Sequence, residues 1–344
     1  MDYLVKDFSF KLPQELIAQK PVKPRDHSRL LLLNKKTGAL AHQHFYDFIN
    51  YLHPGDVLVL NDSKVFPARL IGKKEISGGQ VEVFLHRVID DAVWECLIGG
   101  RVKEGGTIVL SAGLTAQVLK NNQDGTWQVK FNKVGKQFWL AISKTGLMPL
   151  PPYIKRPIKT SSDKADYQTV FANPQKIGSV AAPTAGRHFT KNLLSQIKKK
   201  GVKVVFVTLH VGLGTFAPVK VDSVKDHKMH SELAEISSEA VSIIRQAKKQ
   251  GQRIIAVGTT SARTLESMDL KKIGQQTFWT DIFIYPGYKF KMVDALVTNF
   301  HLPHSTLLML VSALASKDYI DKAYKEAVKQ RYRFFSYGDV MFIS

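Results

Sequence analysis

The sequence predicts an α/β main domain with a largely parallel sheet, interrupted by an inserted small all-β, barrel-like domain. Three observations carry this. Short apolar runs at residues 202–209, 253–257 and 295–297 each stop abruptly in a dense polar block, as buried strands do where they meet a ligand-binding edge. Between residues 65 and 139 the pattern changes to short β-branched or alternating runs with no helical period between them. Beyond residue 150, helical and strand patterns alternate, which is the mark of a parallel sheet.

In chain order, residues 1–61 have mixed character and are expected to return to the larger domain, with the apolar run 57–60 ending in Asn61-Asp62-Ser63-Lys64. Strands are expected at residues 81–88, 93–98, 107–110, 115–119 and 126–131, where Asn121-Asn-Gln-Asp-Gly125 signals a hairpin. Leu150-Pro-Pro-Tyr-Ile-Lys-Arg-Pro157 is a stiff linker in which paired prolines exclude helix. A basic helix at 191–200 and a strand at 202–209 follow. Residues 237–250 read as an amphipathic helix, with Ser237 or Ser238 as its cap and Gly251 as its stop. Then come a strand at 253–257, a helix from about residue 262, strands at 281–285 and 295–297, and helices at 306–315 and 317–333. The expected division is 1–64 plus 150–344 for the α/β domain and 65–149 for the inserted barrel.

The 344 residues are enough for two domains with sizeable cores, and 44% hydrophobic with 23% charged residues describes a globular protein. A single cysteine, Cys96, excludes an intramolecular disulfide and a cysteine-cluster zinc site. No run is long enough to span a bilayer and no secretory layout opens the chain, so a cytoplasmic address is expected. Forty-nine Lys and Arg against 29 Asp and Glu give a net charge of +20, spread over folded-looking segments. That points to a polyanion, nucleic acid first, met by a broad face.

Each polar block has a chemical reading and a bland one. Gly212-Leu-Gly-Thr-Phe-Ala217 matches a dinucleotide fingerprint, but Pro218-Val-Lys-Val reads as extended chain where a helix should open. The glycines instead permit close backbone approach to another ligand, or a turn. His227-Lys-Met-His230-Ser-Glu232 has metal-like composition, yet acid/base or substrate contact fits it better. Gly258-Thr259-Thr260-Ser-Ala-Arg263, after a strand and opening a helix, suits an anion, with simple capping as its alternative. His301-Leu-Pro-His304 places two histidines with Asn299 and Ser305 on one connection, where one histidine is expected to cap or pack. Walker loops, nucleophile elbows and cysteine nucleophile pairs are missing. The residues alone therefore suggest an enzyme with a His/Thr/Asn/Arg site that acts on nucleic acid with a small polar co-substrate.

Taken together, the blocks resemble the S-adenosylmethionine:tRNA ribosyltransferase-isomerase family of queuosine biosynthesis. The resemblance runs through Arg25-Asp-His-Ser-Arg-Leu30, Gly55-Asp-Val-Leu-Val-Leu-Asn-Asp-Ser-Lys-Val-Phe-Pro-Ala-Arg-Leu70, Val180-Ala-Ala-Pro-Thr-Ala-Gly186 and Thr208-Leu-His-Val-Gly-Leu-Gly-Thr-Phe216. It continues in His227–Glu232, Gly258–Arg263, Thr298-Asn-Phe-His-Leu-Pro303 and Arg333-Phe-Phe-Ser-Tyr-Gly-Asp339. Two departures stand out: Arg187, where the family usually carries an apolar residue, and the stretch 96–104. An arginine at 187 is read as an added phosphate contact or a changed surface.

The resemblance implies transfer and isomerisation of the ribosyl part of S-adenosylmethionine onto 7-aminomethyl-7-deazaguanine in the tRNA wobble position, releasing adenine and methionine. S-Adenosylmethionine is then a consumed co-substrate, with no cofactor and no metal, and the anticodon stem-loop is the partner of a monomer. Candidate bases are His188, His210, His230 and His301, with Glu232 as orienter or alternate base. Substrate contacts fall to Asn61, Asp62, Ser63, Thr184, Gly186, Gly212, Gly214, Thr215, Thr259, Thr260, Arg263 and Asn299, with Arg263 and the Thr259-Thr260 helix start holding the methionine carboxylate. Lys64, Tyr153, Lys155 and Arg156 are the tRNA candidates, with Tyr288 and Phe300 as further aromatic faces for the extruded base.

Overall fold

The computed structural model of the chain describes residues 3–156, 160–212 and 219–344. Its larger sheet is built on four parallel central strands, β3 (Val57–Asn61), β12 (Lys203–Leu209), β14 (Ile254–Val257) and β16 (Ala295–Asn299). They lie in the order β12-β3-β14-β16. Every residue of β3, β14 and β16 is buried, as expected of strands covered on both faces.

The flanks are mixed. Beyond β12 lie β13 (Glu232–Ile236) and β15 (Gln276–Thr280), both antiparallel to their neighbours. Beyond β16 come β17 (Val340–Ile343), antiparallel to it, then β1 (Arg29–Leu33), parallel, and β2 (Leu40–His44), antiparallel. The α/β class stands, but the sheet is parallel mainly at its centre. The N-terminal segment does return to this sheet, through β1–β3.

Helices cover both faces. On one side α4 (Ser238–Lys249), α5 (Gly258–Ser267), α6 (Thr306–Ala315) and α7 (Lys317–Lys329) bury Ile244, Leu265, Met309 and Ile320. On the other, α3 (Lys191–Lys199) and the short turn Phe45–Tyr51 bury Leu193, Ile197, Phe45 and Phe48. Ser237 caps α4 as expected, accepting from Ala240 N–H at 3.2 Å. Helix α5 starts at Gly258, four residues earlier than its apolar period suggested, because Gly258 at φ +86° turns β14 straight into the helix. No strand forms at 281–285; the strand is the preceding segment, Gln276–Thr280, which completes the edge beside β13. The alternating polar residues of that edge hide it from a search for apolar runs.

The second unit is a closed six-stranded barrel of β5 (Arg69–Lys74), β6 (Gln80–Val88), β7 (Val93–Gly99), β8 (Thr107–Val109), β9 (Thr115–Asn121) and β10 (Trp127–Phe131). Its pairings are all antiparallel, and the β9–β10 hairpin forms at the Asn/Gly turn. Alternate residues point inward, among them Val81, Val83, Leu85, Cys96 and Val129, and α1 (Gly135–Thr145) closes one end with Phe138 and Ile142. Val180 belongs to the same apolar cluster and ties the barrel to the main sheet. Among the described residues no helix is long and apolar enough to cross a membrane.

Candidate active site

Three of the parallel strands, β12, β14 and β16, end at one cavity of about 660 Å³. Its wall includes Val211 after β12, Gly258–Thr260 after β14, and Thr298, Asn299 and His301 at the end of β16. Ala181–Ala185 supply another side, and Val5, Lys6 and residues 219–222 close the cavity from above. The N-terminal segment is fixed there by Val5 N–H donating to Asp222 O at 2.8 Å. A volume within about 300–1,000 Å³ is usual for a small-molecule site.

Gly258 sets one polar edge. Its positive φ brings the first turn of α5, with Thr259 and Thr260, to the wall, and Val257 provides no side-chain cap. The first N–H groups of the helix are thus available to an anion. Asn299 sets the opposite edge. Its Nδ2 donates to Phe335 O at 3.1 Å and Asp339 O at 3.3 Å, which fixes the amide orientation. The same Nδ2 lies 3.1 Å from His188 Nε2. An amide nitrogen only donates, so Nε2 accepts and the His188 proton sits on Nδ1, 2.6 Å from Ser28 Oγ. Burial, then the neighbouring Arg187, push the His188 pKa down to about 3. His188 is therefore a neutral residue behind the wall that orients Asn299.

His301 is on the wall itself, buried, with Nε2 2.8 Å from Thr298 Oγ1 and its backbone N–H donating to the Tyr324 hydroxyl. Burial lowers its pKa to about 3. Of the four candidate bases, His301 is the one lining this cavity, and His304 from the same connection lines it too. His210 lies outside the wall, its Nε2 3.3 Å from Glu235 Oε1, and that carboxylate also meets Lys176 Nζ at 2.5 Å. Gly178 is required beside it, since a Cβ there would come within 2.5 Å of His210 Nδ1. His230 is exposed, near His227 and His86.

Glu232 and Arg263 form a buried ion pair. The other carboxylate oxygen of Glu232 accepts the Gly212 N–H at 2.9 Å, while Arg263 also reaches the carbonyls of Ile282 and Thr280. The guanidinium is therefore not on the cavity wall and the pair braces Gly212 instead. Asn61, Asp62 and Ser63 are likewise drawn into the scaffold. Asn61 bonds both backbone groups of Leu209, Asp62 accepts from Thr208 Oγ1 at 2.7 Å, and Ser63 Oγ receives Ser179 Oγ at 2.8 Å. Burial raises the Asp62 pKa. Thr184 lines the cavity; Gly186 packs against Phe171 and does not. Gly214 and Thr215 lie outside the described residues.

Among the aromatic candidates, Tyr153 lines the cavity, stacked on Phe335 at 4.5 Å with its hydroxyl on Ser336 Oγ. Phe300 is core with one edge on the wall. Tyr288 is instead held by Glu266, 3.0 Å from its hydroxyl. Lys155 is exposed, Arg156 grips Asp163 at 2.6 and 3.2 Å, and Lys64 sits in the short pairing of β4 (Lys64–Val65) with β11 (Ile177–Ser179). Arg187 is no surface contact: it is buried, donates to Asp166 O at 2.7 Å and to Ser336 O, and lies 4.4 Å over the Tyr337 ring. Among the described residues no three His, Cys, Asp or Glu groups gather as a metal would require. Sequence reading missed Tyr167 and the Val5–Lys6 strap in the wall, and it gave Ser336, inside the Arg333–Asp339 block, no role. None of them sits at a strand end, so no local signal marks them.

A largely apolar cavity with a few polar groups at the carboxyl ends of parallel strands, in a chain that also carries an antiparallel barrel, defines an α/β enzyme with a strand-end site. The model of the family described as queuosine biosynthesis protein matches residues 5–343. A relative from Halothermothrix orenii, named S-adenosylmethionine:tRNA ribosyltransferase-isomerase, is 50% identical over 343 residues, 98% of this chain and 99% of the relative. The crystal structure of an S-adenosylmethionine tRNA ribosyltransferase from Thermotoga maritima is 41% identical, with a TM-score of 0.57 over 98% of this chain and 100% of that one. The chain belongs to the queuosine biosynthesis protein family, and it is a transferase-isomerase enzyme of that family.

Proposed function

We propose that the enzyme transfers and isomerises the ribosyl moiety of S-adenosylmethionine onto the aminomethyl group of 7-aminomethyl-7-deazaguanine at the tRNA wobble position. The products are epoxyqueuosine in tRNA, free adenine and methionine. The observation that carries this reading is the family match from residue 5 to residue 343, which takes in every segment of the cavity wall.

The chemistry begins with loss of the proton on the carbon beside the sulfonium. Adenine departs with a proton delivered to its ring, and the amine nitrogen forms the new bond to carbon as it gives up one of its own protons, so that one proton in all is released. Closure of the epoxide expels methionine, whose sulfur takes back an electron pair and becomes a neutral thioether. His301 is the proposed base. It is chosen on geometry, as the one candidate base on the cavity wall, with its Nε2 held 2.8 Å from Thr298 Oγ1. The Thr259-Thr260 turn receives the methionine carboxylate on the N–H groups of α5. Asn299 and Thr184 contact the sugar and base, and Glu232 with Arg263 positions Gly212. S-Adenosylmethionine is consumed, so the reaction as proposed needs no further cofactor and no metal, and we place it in the cytoplasm as the work of a monomer.

Product analysis tests this. The enzyme is incubated with S-adenosylmethionine and an anticodon hairpin carrying the modified base, then examined by mass spectrometry. Free adenine and methionine with an epoxycyclopentanediol mass gain on the RNA are expected. S-Adenosylhomocysteine with methylated RNA would instead establish methyl transfer.

A further inference from the structure

Next to the donor cavity lies an open groove of about 1,020 Å³. The two share one wall, made of Tyr153, Leu302, Pro303 and His304. The groove floor is the N-terminal segment, where Phe10, Leu12 and Ile17 are half-buried. Exposed Lys155 stands on its edge beside Arg156, whose guanidinium is paired with Asp163, and its one carboxylate, Glu15, faces Arg331 at 3.9 Å. Aromatic and apolar faces below with an exposed lysine on the edge suit a single nucleic-acid strand, bases stacking and a phosphate paired. A net charge of +20 supplies the complementary field.

The shared wall is rigid. Tyr153 is clamped between Phe335 and Ser336. His304 holds φ at +60°, a region that non-glycine residues rarely occupy. It is locked there by its N–H on Phe8 O at 2.7 Å and its Nδ1 3.1 Å from Val5 O. The strained residue thus sits where the groove meets the donor cavity.

We infer that this groove seats the single-stranded anticodon loop, and that the Tyr153–His304 wall is the threshold over which one base enters the donor cavity. This rests on the tRNA reading above. It adds which face the RNA meets, and it assigns a positioning role to His304.

The test compares two double variants that add negative charge. Gln14→Glu with Lys155→Glu alters the groove, while Lys325→Glu with Lys329→Glu alters the exposed face of α7 by more charge. Each is titrated with a fluorescent anticodon hairpin by anisotropy at fixed salt. The groove variant is expected to bind about tenfold more weakly, and the α7 variant within about twofold of the parent. Equal losses, or a larger loss on α7, overturn the proposal. So does a groove variant that shifts sedimentation and leaves RNA affinity intact, since the groove then seats a second copy of the chain. His304→Gly adopts the same φ without strain, and is expected to keep hairpin affinity while slowing adenine release. Should the parent release no adenine at all, the ribosyl-transfer reading fails, and the binding comparison still decides the groove.

Discussion

The barrel and the strand-end region of the main sheet place their polar groups in opposite ways. In the barrel, charge stays outside: Arg69 pairs with Glu82 at 2.6 Å with both side chains about a third exposed, and the interior is apolar around Cys96. At the strand ends, Asn61, Asp62, Arg187, His188, Glu232, Arg263, Asn299 and His301 are all buried. Buried polar groups are tolerated only when partnered, and nearly every one here has a named partner that fixes its orientation. The difference teaches that the barrel is built to fold and the strand ends to hold a geometry.

The contrast can be broken first at the chemistry. His301→Ala is expected to lower kcat by about a hundred- to ten-thousand-fold, as loss of an acid/base group does, with hairpin affinity retained. Single-turnover adenine release checks it, and near-parental activity would remove His301 from the role of base. Next comes the buried pair. Glu232→Gln leaves the Arg263 charge uncompensated and is expected to cost about 3–5 kcal/mol, whereas Glu82→Gln in the barrel costs about 0–1 kcal/mol. Urea titrations of the two variants side by side give the comparison directly.

Acid sharpens it further. His188 and His301 titrate near 6.5 when unfolded and near 3 when folded, so the unfolded chain binds the extra protons. Their stabilising contribution is complete above about pH 6.5 and declines as pH falls toward about 3, by about 1.4 kcal/mol per pH unit for each histidine. Replacing either with Gln should reduce the slope of stability against pH over that window by one proton, read from melts between pH 4 and 7. The smallest effect belongs to Cys96. Buried and with its thiol pKa pushed up, it is expected to resist iodoacetamide until the barrel opens, so its labelling rate reports barrel unfolding alone.

Much of this was legible in residue order. The alternating runs of 80–131 give the barrel its strands, and the apolar runs at 57–60, 202–209 and 253–257 give the centre of the sheet. The strand at Gln276–Thr280 escaped because an edge strand need not be apolar. Within the site, the polar blocks at Thr259-Thr260, Asn299 and His301 were found as wall residues, while Arg263 and His188 face away from the cavity.

By itself, then, the sequence determined the architecture and the strand ends that carry the site, because side-chain period and strand-end composition are local properties of the chain. Only the tertiary structure decided which candidate base meets the cavity, which arginine is buried in a pair, and that Arg187 lies inside against Tyr337. Those outcomes depend on desolvation and on partners far away in sequence, such as Glu232 for Arg263 and Ser28 for His188, and no local pattern encodes them.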